Sequence, residues 1–309
     1  MILSILLATA CGAPAELPAS VALEPALTWT APSTFMAGES FPVEVVVTAA
    51  AGDKIPMSWL GPEGFTVNKK AVGRAKGEFD VTFDIEWSLK FDLSPSLTET
   101  KSFTLGHSGS SSSVEVGVLT PAPEGLDFMS MDAEEIAKYG VLMRTNRGDM
   151  LIEFWPETAP NHCRSFLDLA YASFYDGILF HRCIPGFMVQ SGDPKTKDPD
   201  ADPRTYGTGG GPRKLDAEFS DRPHERGTLS AARLGGDVNS ATSQFFLCHQ
   251  RAASLDRQYT AFGQLRYGHE VIDLIVNSPK AANPGSPRPT DRPRDPQVIE
   301  RAIVVVLPK

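Results

Sequence analysis

Nine residues, FDVTFDIEW, limit this chain more than any other stretch. Phe79, Val81, Phe83, Ile85 and Trp87 alternate without a break against Asp80, Thr82, Asp84 and Glu86. A period of two puts one set on one face of a strand and the other set on the opposite face; a helix would scatter both around its circumference. FPVEVVV repeats the pattern with Phe41, Val43, Val45 and Val47, and Val114, Val116 and Val118 repeat it after the Ser run 108–113. Such a chain is built mainly of half-buried strands.

Several of these strands with Gly/Pro punctuation predict a β-sandwich over residues 27–120, immunoglobulin-like but with no cysteine and hence no immunoglobulin disulfide. Nothing in it carries catalytic chemistry, so it reads as a spacer or docking domain. Residues 121–138, PAPEGLDFMSMDAEEIAK, read as a linker with one helical turn. The character then changes. VLMRTNRGDMLIEF predicts two strands joined across Asn146-Arg147-Gly148-Asp149. Thr158 is placed to cap a helix with Pro160 in its first turn, burying Phe166, Leu169 and Ala170. Strands with few helices over residues 139–309 predict a β-barrel closed by helices, with Pro-rich residues 278–297 as a surface loop before the last strand, VIERAIVVV.

At 309 residues the chain is long enough for these two domains. Its net charge of −9 is uneven: residues 12–138 hold 8 Lys+Arg against 18 Asp+Glu, while the remainder to residue 309 is near balance. Neither half carries a basic block, which argues against nucleic-acid binding. The opening MILSILLATACG has an apolar run, Ile2 to Ala10, too short to cross a bilayer. Ending in Ala8-Thr9-Ala10 before Cys11, it resembles a bacterial lipoprotein signal over residues 1–11, in which Cys11 is lipidated. The resemblance implies that Ala/Pro-rich residues 12–26 form a tether and that the chain faces an extracytoplasmic space, anchored to the cell envelope. Gly12 after the cysteine favours the outer membrane. Cys163, Cys183 and Cys248 form no CxxC and read as buried thiols. The six histidines show no HxxxH or HxH pairing, so no metal site is expected.

The stretch FHRCIPGFMVQSGD, Phe180 to Asp193, gathers a permanent cation, an amide and two large apolar groups. Arg182, Met188 and Gln190 are even steps apart, so they share a face if the Pro185-Gly186 turn preserves the alternation. YGTGGG at 206–211, GTLSAAR at 227–233, SATSQFF at 240–246 and LDRQYTAFG at 255–263 follow in order. Together these five motifs resemble the cyclophilin-type peptidyl-prolyl cis-trans isomerases, over about Tyr139 to Lys309. The resemblance implies an eight-stranded antiparallel barrel capped by two helices, with a proline-binding groove on its outer face. It implies Phe187, Met188, Phe246 and Leu255 as the seat of the proline ring. Arg182, His181 and Gln190 are then catalytic, Gln190 orienting Arg182 and the substrate carbonyl. Gln244 contacts the backbone before the proline, and Gly207 and Thr208 form a wall. Main-chain groups of Ala232, Arg233 and Leu234 pair with the substrate strand, and Tyr259 forms a polar rim where many members have His. Ser254 stands where many have Trp, so tight cyclosporin binding is not expected. The insert KTKDPDADPRT at 195–205 and the loop GGDVN at 235–239 also differ from common members.

The chemistry supports the same residues. An X-Pro bond rotates over a barrier of about 18–20 kcal/mol because amide resonance must be broken. Halfway round, the nitrogen keeps its lone pair and becomes a better acceptor than in the planar state. A donor aimed at it therefore binds the twisted state preferentially, which is the condition for catalysis. A guanidinium suits this, being always charged and presenting a rigid fork of donors. Losing one such donor typically costs about 2.7–4 kcal/mol, whereas an acceleration of roughly 10⁵–10⁶ needs about 7–8. A dry seat that favours the less polar twisted amide is one source of the remainder. No cofactor, metal or nucleotide is needed, and the partner is a proline-containing polypeptide met by a monomer. The rival reading is a module that holds Pro-containing segments without turnover. A hydrolase is excluded, since no Ser or Cys nucleophile stands beside a His in a recognisable turn.

Overall fold

In the computed structural model, Asn146-Arg147 reverses the chain between two apolar runs, pairing Tyr139–Thr145 (β1) with Gly148–Phe154 (β2), Leu142 opposite Leu151. The structure describes residues 26–30, 34–60, 65–67, 70–71, 77–82, 85–93, 102–107 and 113–308. The expected signal of residues 1–11 with Cys11, and residues 12–25 of the expected tether, lie outside them. The chain divides into two compact units, a larger one that includes Val116–Lys309 and a smaller one drawn from residues before it.

In the larger unit six strands follow the first two: Arg182–Ile184 (β3), Met188–Ser191 (β4), Thr228–Ala231 (β5), Phe245–Cys248 (β6), Ala261–Tyr267 (β7) and Ile299–Val306 (β8). Spatial neighbours run β3-β4-β6-β5-β7-β2-β1-β8, every pair antiparallel. The path then closes on itself. Gly177 N–H donates to the Ile299 carbonyl (2.7 Å), Ile299 N–H to that of Ile178 (2.9 Å), and Phe180 N–H to that of Gln297 (2.8 Å). The segment entering β3 is thereby joined to the one entering β8, which satisfies backbone groups an open edge would expose.

Three helices occur among the described residues: Ala133–Ile136 (α1), Pro160–Tyr171 (α2) and His269–Val276 (α3). As the spacing predicts, α2 buries Phe166, Leu169 and Ala170. Its Phe166 ring stacks on Tyr175 (centroids 4.7 Å) and meets Phe245 edge-on (5.2 Å), with Phe154 and Phe262 beside it. Each such ring contributes about 1.5–3 kcal/mol by leaving water. The cap differs from expectation. Ala159, not Thr158, is the N-cap residue and makes no side-chain bond. Glu218 accepts instead from the N–H groups of Asn161 (3.1 Å) and His162 (3.0 Å), and also pairs with His162 Nδ1 (2.7 Å). A carboxylate serves two orphan donors and the positive helix end together, where a hydroxyl would serve one. Of the stretch read as a linker, Phe128 and Ile136 lie fully buried in this core.

In the smaller unit, Ala26–Thr30, Phe41–Ala49 and Ile85–Leu93 form a three-stranded antiparallel sheet. Phe41, Val43, Val45 and Val47 are buried, and the residues between them are not. FDVTFDIEW, however, does not run as one strand. Glu78–Asp80 pairs with Lys54–Pro56, and only from Ile85 does the chain join Phe41–Ala49. Val81 explains the break: its N–H donates to the Asp53 carbonyl (2.9 Å) and its carbonyl accepts from Gly52 (2.8 Å), so a turn uses both groups. Phe65–Val67 pairs with Lys70–Ala71 and with Ser102–His107. The protein is mainly β, with few helices.

Candidate active site

The turn at Pro185-Gly186 sets β3 against β4 with Arg182 opposite Gln190, Cys183 opposite Val189 and Ile184 opposite Met188. Directly opposed residues share a face. Cys183 and Val189 enter the core, and the even-numbered residues face outward. Strand β6 places Phe246 beside Gln190 and Cys248 beside Met188. Arg182, Gln190 and Phe246 thus form one row across three strands, as the even spacing predicted for the first two.

Beside this row lies a hollow of about 210 Å³. Met188, Phe246 and Leu255 form its apolar floor, with Phe187, Ala232 and Tyr259 partly buried against them. Arg182, Gln190 and Arg233 complete the rim. Tyr259 meets Phe246 edge-on at 5.8 Å, and the Arg233 guanidinium lies 4.4 Å over the Tyr259 ring. Arg233 also donates to the carbonyls of Gln258 and Leu234, so its side chain braces the wall. Behind Phe246 sits the fully buried imidazole of His224, stacked at 6.1 Å. Its Nδ1 pairs with Asp256 (3.1 Å) and its Nε2 with Ser230 Oγ (2.9 Å), whose hydroxyl donates to the Thr260 carbonyl (3.0 Å). Burial pushes the His224 pKa down, the Asp256 carboxylate opposing it, which keeps the imidazole neutral. Ser254 is exposed in the single turn Ala253–Leu255.

Arg182 points outward, its side chain 44% exposed. Its Nε donates to Asp291 (3.3 Å) and its Nη1 to Gln190 Oε1 (3.4 Å). Gln190 Nε2 donates to Gln244 Oε1 (2.9 Å), and Gln244 Nε2 to the carbonyls of Gly207 (2.9 Å) and Gly209 (2.7 Å). Each amide is fixed in orientation because its far end is occupied. The Gly207 and Thr208 wall is held by Asp193, fully buried, which accepts from the N–H groups of Gly207 (2.6 Å), Gly209 (3.1 Å) and Lys195 (2.8 Å). A Cβ on Gly209 would lie 2.0 Å from that carboxylate, which accounts for one glycine of the run. Asp193 and Asp291 are the polar groups that the sequence reading missed. Asp193 ends the quoted motif, but Asp291 sits in a loop without periodicity.

Three neighbouring residues were expected to pair with a substrate strand, and they divide. Ala232 N–H donates to the Gln244 carbonyl (3.0 Å) and Leu234 N–H to Ser240 Oγ (2.8 Å). Arg233 keeps its main-chain N–H and C=O without an internal partner among the described residues. Next to this segment a second hollow, about 310 Å³, is lined by Gly207, Thr208, Ala232, Arg233 and Gln244. His181 stands apart from the apolar hollow. It is 6% exposed, its ring nitrogens have no side-chain hydrogen-bond partner among the described residues, and it lines a third hollow that also includes Arg182. Burial pushes its pKa down, with Asp193 and the Leu179 backbone pulling the other way. Cys163, Cys183 and Cys248 are free and buried, and burial pushes the last two up to about 12, far from a thiolate at neutral pH.

A cation on a polar relay, an apolar seat and an unpaired main-chain edge suit an extended, ring-bearing peptide. Comparison with known proteins agrees. The family model described as cyclophilin type peptidyl-prolyl cis-trans isomerase/CLD matches residues 140–304. A peptidyl-prolyl cis-trans isomerase of Synechococcus elongatus is 42% identical over 123 residues, 40% of this chain and 77% of that protein. A probable peptidyl-prolyl cis-trans isomerase of Brucella abortus is 39% identical over 146 residues, 46% of this chain and 74% of its own. Peptidyl-prolyl cis-trans isomerase-like 3 of Gallus gallus is 37% identical over 146 residues, 45% and 83% respectively. With its outward row of Arg182, Gln190 and Phe246, this chain belongs to the cyclophilin family and is a peptidyl-prolyl cis-trans isomerase.

Proposed function

We propose that Arg182 stabilises the twisted X-Pro amide while the proline ring rests on Met188, Phe246 and Leu255. The observation that carries this reading is the position of Arg182, exposed at the rim of an unfilled apolar hollow and braced by Gln190 and Asp291. The substrate enters as an extended strand on the Arg233 main chain, with Gln244 against the backbone before the proline and Gly207 and Thr208 as a wall. His181 acts from the far side of Arg182 as a neutral positioning group. Phe187, Ala232 and Tyr259 close the seat against water, which strengthens the guanidinium's contact with the developing lone pair.

On a short X-Pro peptide, Arg182→Ala lowers kcat by about 10²–10³, the usual loss for one transition-state donor, and the melting temperature stays near wild type because Arg182 is exposed. Equal rates in the two proteins remove Arg182 from the mechanism.

The clients are extracytoplasmic, and the enzyme is a monomer held to the cell envelope by acyl chains on Cys11. Supporting this are the apolar run Ile2 to Ala10, the small residues before Cys11 and the Ala/Pro-rich stretch after it. Residues 27–120 form a sandwich that acts as spacer or docking domain, followed by linker 121–138 and the isomerase domain 139–309. Radioactive palmitate labels the wild type and not Cys11→Ser; label on both defeats the anchor.

A further inference from the structure

The largest of the three hollows, about 820 Å³, opens on the far side of Arg182 from the proline seat. Its walls come from the insert, through Asp202 and Arg204, which the isomerase reading leaves unused, and from the Pro-rich loop, through Arg292 and the Asp291 that braces Arg182. It adjoins the groove directly, since Arg182 and Gln190 line both hollows.

The charges in it do not cancel. Arg204 is paired with Asp202 (2.6 Å) and Arg182 with Asp291 (3.3 Å). Arg292 has neither an ion pair nor a side-chain hydrogen bond among the described residues, though it is half-buried in the wall. Its backbone is pinned on both sides: the N–H donates to Thr290 Oγ1 (3.3 Å) and the carbonyl accepts from Ala281 N–H (2.8 Å). A half-buried cation on a pinned backbone, without a counter-charge and in a concave wall, is a poised anion acceptor. The same hollow is lined by His181, more than nine-tenths buried, whose ring nitrogens have no side-chain partner among the described residues.

We propose that this hollow is a specificity subsite for a carboxylate side chain, Asp or Glu, borne by the substrate within two residues of the X-Pro bond, with Arg292 as its ion-pair partner. The inference rests on the isomerase reading for the path of the substrate. It adds a preference that neither the apolar seat nor the Arg233 edge supplies. His181 contributes a hydrogen bond, and the neighbouring Asp202 and Asp291, already paired, leave Arg292 free.

The test uses the full chain and a panel of tetra- and pentapeptides on an Ala-Pro centre, with Glu, Gln or Lys placed singly at the two positions before and the two after the bond. Turnover is read by kcat/KM and binding by fluorescence anisotropy. At one position Glu exceeds Gln by about fivefold, the scale of a partly exposed ion pair, and the advantage shrinks as salt rises from 0.05 to about 0.5 M. Arg292→Gln brings that ratio to one, and Arg292→Glu turns the preference to Lys at the same position. A Glu/Gln ratio of one at every position, or a Glu advantage that survives Arg292→Gln, overturns the subsite. Absence of turnover alongside tighter binding of the Glu peptide defeats the catalytic reading of Arg182 and leaves the subsite standing.

Discussion

Gln190 makes two hydrogen bonds that run in opposite directions, accepting from Arg182 and donating to Gln244. Removing it frees Arg182 on one side while Asp291 still holds the other. Gln190→Ala therefore lowers kcat/KM on an X-Pro peptide about tenfold, the worth of one hydrogen bond to a charged group, which is less than the loss from Arg182→Ala. A fall as deep as that of Arg182→Ala would mean that Asp291 contributes no bracing. The row of Arg182 and Gln190 was legible because a strand's parity extends across a tight turn. Asp291 was not, since it lies 109 positions from Arg182 in a loop with no repeat. A period constrains residues within one ladder and says nothing of which distant loop folds over it.

At the scale of elements, Glu218 caps α2 from 57 residues away. Burial alone would raise its carboxyl pKa, but bonds from His162 and from the backbone N–H groups of Asn161 and His162 hold it below the usual range. The cap is therefore fully present above about pH 4.3 and is lost as pH falls through the lower folded value. Glu218→Gln costs about 1 kcal/mol, or a melting temperature roughly 2–4 °C lower at neutral pH. A calorimetric scan with no shift would assign the cap to another group. The helix itself could be read from the sequence, with its Pro160 start and buried Phe166, whereas the cap could not, because Thr158 was a sufficient local candidate. FDVTFDIEW shows a related limit. Its alternation predicted strand, but Val81 spends its backbone groups on a turn, and alternation carries no mark for where a strand changes sheet.

For the whole molecule, the two shifted histidines set an acid limit. Burial lowers the pKa of both His181 and His224, so the folded state stays neutral where the unfolded chain takes up protons near pH 6.5. Stability is insensitive to these groups above that value and declines as pH falls below it. The urea midpoint is flat from about pH 8 to 6.5 and drops in more acid buffer, less steeply in His224→Gln. An equally steep drop in that variant would assign the protons elsewhere. The barrel wall has one more consequence. Between residues 182 and 190 its neighbours serve different masters: Cys183 and Val189 answer to the oil inside, Arg182 and Gln190 to the open hollow outside. Drift in one register leaves the other untouched, so a lineage can retune its clientele by editing alternate letters while its interior stays as it was.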